Sequence, residues 1–323
     1  MLADRLALQL VSGPKPNDVG DVVRRLLAVQ AQDFRGAQLA VRARSTGLGA
    51  SDVARALDQG ELVVSWLNRG TLHLVAAEDL AWLHALTTPQ LATSNQTRLR
   101  QEGVSPAQAD RGVAVVDEQL QDGPRTRGEL KQALESADVP VARQALVHVL
   151  FLATLRGVCV RGQVVGKEQA FVLARDWLPR PQPVDREVAL RELGRRYLAA
   201  HAHATDRDLA KWAGITLSDA RAALAGQAPP DVPVQPLPPP TLLGPFDEVL
   251  MGWESRDLVL DGHDEVVTKN GIFAPVVLVK GRARGTWALP RGRVAIAPFD
   301  DLTPTVSQAL ARETADVERF LSC

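Results

Sequence analysis

Two glutamines one residue apart, Gln30 and Gln32, are the side chains whose types and spacing best fit a chemical role in this sequence. They follow an apolar run containing Leu26, Leu27 and Val29, whose spacing predicts a helix that ends at the glutamines. A neutral amide cannot act as a base, but its carbonyl can accept a hydrogen bond from a water molecule and orient it. The same amides could instead satisfy the last helix carbonyls or point into solvent, and the residues alone leave both interpretations open.

Three blocks of the sequence resemble the winged-helix DNA glycosylase family of AlkZ and YcaQ. They are residues 26–44, residues 66–74 (WLNRGTLHL) and residues 271–287, within a resemblance that extends from about Leu10 to Trp287. The AlkZ branch of that family has glutamine at both positions of the motif, whereas the YcaQ branch has aspartate at the second, which is Gln32 here. The resemblance implies a DNA repair glycosylase acting on N7-alkylated guanine, with bulky adducts and interstrand crosslinks as candidate substrates.

Paired neutral amides suit this substrate chemically. Guanine alkylated at N7 is already cationic, so its glycosidic bond breaks without a strong general acid, through an oxocarbenium-like state. We expect Gln30 and Gln32 to hold the attacking water and to stabilise the developing positive charge with their carbonyl oxygens. Neutral groups also avoid an unpaired buried charge in the empty site. The expected enzyme is a monofunctional DNA glycosylase that needs no cofactor.

A basic stretch near the end of the chain is the main candidate for DNA contact. Between Val266 and Pro298 there are six basic residues and no acidic one, alternating with apolar residues and glycines as in paired strands. Arg282 and Arg284 should share one strand face. Such a run can also be an ordinary solvated surface. Outside it, Arg69 could be a turn arginine with no functional partner, and His73 could be a structural histidine. The predicted DNA-binding residues are Arg69, His73, Lys280, Arg282 and Arg284.

Composition narrows the remaining classes. The chain has 323 residues, 46% of them hydrophobic and 23% charged, which is typical of a globular protein. A net charge of −1 argues against a protein whose whole surface binds nucleic acid, because such binding depends on many Lys and Arg side chains that neutralise phosphates. Two distant cysteines, Cys159 and Cys323, indicate neither a disulfide framework nor a metal site, and His201 with His203 lack a third ligand nearby. We expect a cytoplasmic, nucleoid-associated monomer without a metal or a membrane span, whose partner is double-stranded DNA containing alkylated guanine.

The order of elements predicts a mainly α fold with small β wings, an α+β fold of tandem winged-helix units with a C-terminal β-rich segment. The predicted domains are 1–76, which carries the Gln-Ala-Gln motif, 77–185, and 186–323, which contains a proline strap, basic strands and a last helix. After the first helix, further helices are predicted at 52–58, 80–86, 90–101, 105–121, 130–136, 141–155, 188–200, 209–212, 218–224 and 302–321. Hairpins are predicted at 62–75 and 157–173.

Two rival functions stay open from the sequence. One is a non-catalytic winged-helix DNA-binding regulator, in which the helix-turn-helix at 205–224 would read a groove. The other is a scaffold that binds or senses a DNA-alkylating natural product and so confers resistance to it. The intact pair Gln30 and Gln32 favours the enzyme over both.

Overall fold

The computed structural model describes residues 1–166, 168–180, 184–232 and 235–323. The chain is 52% helical and 15% strand, and its strands form small antiparallel sheets. The predicted α+β class is therefore confirmed. Among the described residues, no helix combines the length and the apolar character needed to cross a membrane.

The elements are numbered here in chain order. The helices are α1 (Leu2–Leu8), α2 (Val19–Leu26), α3 (Phe34–Arg44), α4 (Ala50–Asp58), α5 (Ala77–Thr87), α6 (Pro89–Gln101), α7 (Pro106–Gln121), α8 (Arg127–Ser136), α9 (Ala145–Leu155), α10 (Ala174–Trp177), α11 (Arg186–Ala200), α12 (Asp206–Ala213), α13 (Leu217–Leu224), α14 (Glu248–Met251), α15 (Asp257–Leu260) and α16 (Pro304–Ser322). The strands are β1 (Val29–Gln30), β2 (Leu62–Leu67), β3 (Thr71–Ala76), β4 (Cys159–Val165), β5 (Glu168–Leu173), β6 (Thr241–Leu243), β7 (Val276–Val279), β8 (Arg282–Ala288) and β9 (Ala295–Pro298).

Capping and turn signals were the most reliable guides to these elements. The helix predicted at 130–136 is α8, and it begins with a capping box in which the side chains of Thr126 and Glu129 each accept a backbone N–H of the other. The hairpin of β2 and β3 turns at Asn68 to Gly70, where both end residues have positive φ. The two strands of the second predicted wing pair as β4 and β5.

The prediction was wrong around the glutamines. Helix α2 ends at Leu26 rather than continuing to the motif, and Val29 and Gln30 form a short strand. A helix that the sequence analysis did not predict, α3, then begins beside Asp33, whose carboxylate accepts the N–H of Gly36 at 3.2 Å. An aspartate in this position is a preferred N-cap because it satisfies an otherwise unpaired helix donor.

The chain divides into two compact units. The first combines residues 1–53 with residues 190–323, and the second comprises residues 54–189. These boundaries differ from the predicted ones at 76 and 185. Contact-defined units and winged-helix domains are different divisions, so the three winged-helix domains stay a prediction.

Unit 54–189 is built around a sheet in which its strands run in the order β3-β2-β4-β5. All residues of β2 are buried, and α9 contributes Leu146, Val149 and Leu150 to the interior. A strand buried on both faces reads as a continuous apolar run, which explains the sequence LVVSWL of β2.

The other unit contains the antiparallel sheet β6-β7-β8-β9, with apolar side chains on both faces. Val276 and Leu278 pack with Leu6 and Leu260 on one face. On the other face, Val277 and its neighbours pack with residues of α16. Helix α16 therefore covers a sheet face that the sequence alone did not assign to it. Within the predicted proline strap, residues 233–234 lie outside the described residues, and residues 228–232 and 235–239 form no helix or strand.

The crossing of α11 and α13 is tight enough to be tested by mutation. A Cβ atom on Gly194 would overlap the carbonyl oxygen of Ala223. We expect Gly194→Ala to lower the free energy of unfolding by about 1–3 kcal/mol, as overpacking does. The measurement is the urea midpoint of unfolding. Gly128→Ala, in the exposed first turn of α8 with open space around it, is the control and should not destabilise. Equal midpoints for the two variants would contradict this packing.

Candidate active site

The two glutamines lie in the connection between α2 and α3 and differ sharply in exposure. Gln30 is 4% exposed, whereas Gln32 is an exposed residue immediately before the α3 cap. Residues two apart share one face of a strand, but β1 ends at Gln30, so Gln32 is not held on the buried face. Gln32 can therefore meet a macromolecular substrate directly, and Gln30 lies behind it.

A hydrogen bond joins the two residues of the motif. The side-chain carbonyl Oε1 of Gln30 accepts the backbone N–H of Gln32 at 2.8 Å. This contact orients the Gln30 carbonyl toward the peptide that carries Gln32. An amide oxygen has two lone pairs, so the carbonyl can accept one more hydrogen bond at the same place.

The backbone of Gln30 is anchored by a carboxylate far along the chain. Its N–H donates to Oε1 of Glu248 at 2.9 Å, and the other oxygen of Glu248 accepts the indole N–H of Trp212 at 3.3 Å. Glu248 is 1% exposed. Burial raises the pKa of Glu248 to about 7, although the hydrogen bond from Gln30 favours the charged form.

A buried ion pair lies directly beside this carboxylate. Both oxygens of Asp247 accept hydrogen bonds from the Arg44 guanidinium, at 2.7 and 2.8 Å. Gln9 completes the cluster, because its Oε1 accepts from Arg44 at 3.2 Å and its Nε2 donates to the Glu248 carbonyl at 3.3 Å. The cluster thus links α1, α3 and the start of α14.

An aromatic group packs on the far side of Trp212. Tyr197 stacks on His201 with ring centroids 4.1 Å apart, and His201 meets Trp253 edge-on at 5.0 Å. Burial lowers the pKa of His201 to about 3, so its imidazole is neutral near pH 7 and its Nδ1–H donates to the Tyr197 carbonyl at 2.8 Å. These rings provide an apolar wall against which the indole of Trp212 is fixed.

The chain enters the motif through a rarely populated backbone conformation. Leu27 has φ 69° and ψ −49°, near the uncommon γ-turn region, although it is a fully buried leucine. Such conformations persist only when the surrounding structure determines them, and they cluster at functional sites. Burial of the Leu27 side chain therefore helps to direct the backbone that leads to Gln30.

The residues predicted to bind DNA have different surroundings. Arg69 is exposed in the turn of the first hairpin. His73 is buried on β3, where burial lowers its pKa to about 4, and its Nδ1–H donates to the Thr71 carbonyl at 3.0 Å. A buried neutral imidazole does not favour DNA contact, and both assignments stay predictions.

The other three predicted DNA-binding residues, Lys280, Arg282 and Arg284, lie on β8 or in the turn before it. Lys280 is exposed at the turn between β7 and β8. Arg282 and Arg284 lie on the same face of β8 and both donate to the carboxylate of Asp261. The shared face is confirmed, whereas a role in DNA binding stays a prediction.

Two residues near the motif were not singled out in the sequence analysis. Glu248 is 218 positions from Gln30, so only the fold brings them together. Arg35 lies in the first turn of α3 and is exposed, whereas Arg42 and Arg44 are buried. Their spacing in the sequence does not distinguish the exposed arginine from the buried ones.

The described part of the chain contains no group of three or more His, Cys, Asp or Glu side chains arranged to hold a metal ion. At the motif, the neutral side-chain amide of Gln30 is held by its hydrogen bond from the Gln32 backbone N–H, and the neutral amide of Gln32 belongs to an exposed residue. What the motif can do chemically is orient a water molecule and place carbonyl oxygens near a developing positive charge.

The chain resembles known proteins over most of its length. A family model described as DNA glycosylase AlkZ-like matches residues 23–320. An interstrand DNA cross-link repair glycosylase of Streptomyces sahachiroi is 28% identical over 355 residues, covering 99% of this chain and 95% of that protein. The solved structure of the S. sahachiroi DNA glycosylase AlkZ superposes with a TM-score of 0.76 at 24% identity, covering 99% of this chain and 95% of that one. The structural likeness shows a common fold.

The buried ion pair beside the motif leads to a stability prediction. Replacing Arg44 with methionine would leave the Asp247 carboxylate in the interior without its cation. We expect Arg44→Met to cost about 3–5 kcal/mol, because breaking one side of a buried pair strands the other charge. Arg282→Met removes an arginine from the partly exposed pair with Asp261 and should cost less than about 1 kcal/mol. Chemical unfolding of both variants measures the difference, and similar losses would contradict the role given to burial.

Proposed function

Because the chain belongs to the AlkZ-like DNA glycosylase family, we propose that it releases N7-alkylated guanine from double-stranded DNA, using Gln30 and Gln32 as the residues that position water. Members of this family are DNA glycosylases, which hydrolyse the N-glycosidic bond between a base and its sugar. The observation that carries the proposal is the pairing of a buried and an exposed glutamine through the 2.8 Å hydrogen bond from the Gln32 N–H to the Gln30 carbonyl.

The choice of lesion follows from the chemistry available at the site. Neither amide can protonate a leaving base near neutral pH. Guanine alkylated at N7 carries a positive charge before reaction and becomes neutral as the bond to the sugar breaks. The site therefore has to position the attacking water and stabilise the charge on the sugar. It does not need a general acid to protonate the departing base.

The reaction balances without a cofactor. The water oxygen forms a bond to the anomeric carbon while the bond from that carbon to the guanine nitrogen breaks, and its electron pair neutralises the alkylated base. The water proton passes to solvent, which leaves an abasic sugar. In this scheme the exposed Gln32 and the remaining lone pair of the Gln30 carbonyl accept hydrogen bonds from the same water.

Crosslinked guanine is the second part of the proposal. The S. sahachiroi relative is named as an interstrand cross-link repair glycosylase. A guanine tied to the opposite strand is hard to extrude into a deep pocket, unlike an ordinary damaged base. The exposure of Gln32 favours an attack on a sugar that remains in the duplex. The monomeric state and nucleoid localisation stay predictions.

Basic residues at the protein surface are candidates for holding the DNA backbone. Arg35 is exposed three residues after Gln32, Lys280 is exposed in the turn between β7 and β8, and Arg282 and Arg284 lie on β8. Phosphate contacts fix the position of a protein on DNA without reading its sequence. Such contacts suit an enzyme that recognises the charge of a lesion rather than a base sequence.

The first test is release of N7-methylguanine from methylated duplex DNA under single-turnover conditions. We expect Gln32→Ala to slow release by about 100-fold or more, since loss of positioning has effects of this size, and Gln30→Ala to slow it as well. Gln38→Ala changes a half-buried glutamine on α3 whose amide makes one long bond of 3.4 Å, and it should react like the wild type. DNA binding is measured in parallel.

The outcomes separate the proposal from its rivals. Wild-type rates for Gln32→Ala would sink the assignment of that residue. If the wild type releases nothing from methylated DNA but opens a duplex crosslinked between two guanine N7 atoms, the enzyme is confined to the larger lesion. Sequence-selective binding of intact duplex, with no release from either substrate, would establish the regulator instead.

The basic sheet gives an independent DNA-binding prediction. Asp261→Asn removes the negative charge that holds Arg282 and Arg284. If this face meets DNA, binding should tighten, and the plot of log K against log salt should become steeper by about 1–2, because each new phosphate contact releases counterions. Asp110→Asn frees Arg156 in the same way at another surface. An equal change in both variants would show a general charge effect and no contact at the sheet.

A further inference from the structure

We propose that Glu248 is a positioning residue for the glutamine pair, and that its carboxylate fixes the Gln30 peptide so that the Gln30 carbonyl and Gln32 face the reacting water. The inference rests on the proposed function of the pair and assigns an acidic residue that acts through it. Glu248 is buried behind Gln30 and bonds its backbone N–H, so it is not placed to contact the substrate.

The contact chain from Glu248 to the exposed residue has two steps. The Glu248 carboxylate accepts a hydrogen bond from the backbone N–H of Gln30 at 2.9 Å, and the side-chain carbonyl of Gln30 accepts one from the backbone N–H of Gln32 at 2.8 Å. The first bond sets the orientation of the peptide between Val29 and Gln30. The second sets where the backbone of Gln32 lies relative to that peptide. A change in the first bond is therefore transmitted to the position of the exposed side chain.

The rest of the cluster keeps Glu248 itself in place. Trp212 donates its indole N–H to Oε2, and Gln9 donates to the backbone carbonyl of the same residue. Asp247 holds the neighbouring position through Arg44. Oε1 of Glu248 thus accepts a hydrogen bond from β1, and Oε2 accepts one from α12.

The charge on Glu248 decides how firmly Gln30 is held. A carboxylate accepts a charge-assisted hydrogen bond that is roughly twice as strong as a bond to a neutral oxygen. Protonation converts the acceptor of the Gln30 N–H into a neutral carboxylic acid. Because the pKa of Glu248 is raised to about 7 by burial, this conversion occurs within the ordinary working range of pH.

The other ionisable groups near Glu248 are Arg44, Asp247, Tyr197 and His201. Arg44 and Asp247 form the buried pair described above. Burial raises the pKa of Tyr197 well above its ordinary value and lowers the pKa of His201 to about 3, so both rings are neutral between pH 6 and pH 8. Trp212 and Gln9 do not titrate. A transition near pH 7 in this cluster therefore belongs to Glu248.

The test compares pH profiles of single-turnover base release, corrected for spontaneous loss of the alkylated base. The wild-type rate should rise with pH around a midpoint near 7, the pKa of Glu248. Glu248→Gln replaces the carboxylate with a neutral amide and should lower the rate at pH 8 by about tenfold, the size expected when a charge-assisted bond becomes neutral. Its profile should be flat from pH 6 to pH 8, with DNA affinity unchanged.

Trp212→Phe is the second variant, and it separates positioning from simple structural support. It removes the hydrogen bond to Oε2 and leaves the Gln30 bond intact. Losing that donor disfavours the carboxylate, so the midpoint of the rate profile should move to higher pH while the rate on its plateau stays close to that of the wild type. A general loss of folding would lower the rate at every pH without moving the midpoint.

A readout without any substrate makes the inference independent of the lesion. In protein labelled with ¹⁵N-glutamine, the backbone amide of Gln30, identified by its absence in Gln30→Asn, should shift with pH around the same midpoint. In Glu248→Gln it should not shift. If this resonance titrates but no DNA substrate is cleaved, the positioning stands and the proposed function fails. If the Gln30 amide and the release rate are both independent of pH, or Glu248→Gln reacts like the wild type, the inference is overturned.

Discussion

The hydrogen bond between the Gln30 N–H and the Glu248 carboxylate joins two parts of the chain that are 218 residues apart. The position of Gln30 and Gln32 depends on both ends of this hydrogen bond being held in place. Leu27 directs the backbone into β1 from one side, and the Asp247 pair with Arg44 fixes the start of α14 from the other. The short strand at the motif has two residues and little stability of its own. Its geometry is therefore imposed by the buried polar cluster.

That cluster combines groups with opposite effects on stability. The pKa of Glu248 is raised above its ordinary 4.5 to about 7, so its contribution to stability is full below pH 4.5 and is lost as the pH rises through 7. The pKa of His201 is lowered from 6.5 to about 3, so its contribution is full above pH 6.5 and is lost as the pH falls toward 3. A charged Glu248 near neutral pH thus opposes folding. Its retention beside Gln30 is easier to explain by the position it enforces than by stability.

How far the sequence predicts this protein depends on the range of the interactions. Local signals predicted the hairpin at 62–75 and the helix at 130–136, because the turn at Asn68 and the capping box at Thr126 are each formed within four residues. The motif itself was noticed by residue type, yet its helix was continued too far, since the spacing of Leu26 and Val29 cannot reveal the turn at Leu27. Glu248 was beyond reach. Its contact with the motif depends on the tertiary fold, because Gln30 lies 218 positions away in the sequence.

The contrast in exposure between the glutamines also bears on the substrate. A side chain that is only 4% exposed, such as Gln30, is held rigidly but cannot reach far, whereas an exposed one can meet a large lesion but needs support. Joining them by one hydrogen bond gives the exposed residue a fixed backbone without enclosing it. An enclosed pocket would require the damaged base to leave the duplex, which a crosslink resists. A water held at an exposed position would not impose that requirement, so the proposed reaction is compatible with both a small methylated base and a crosslinked one.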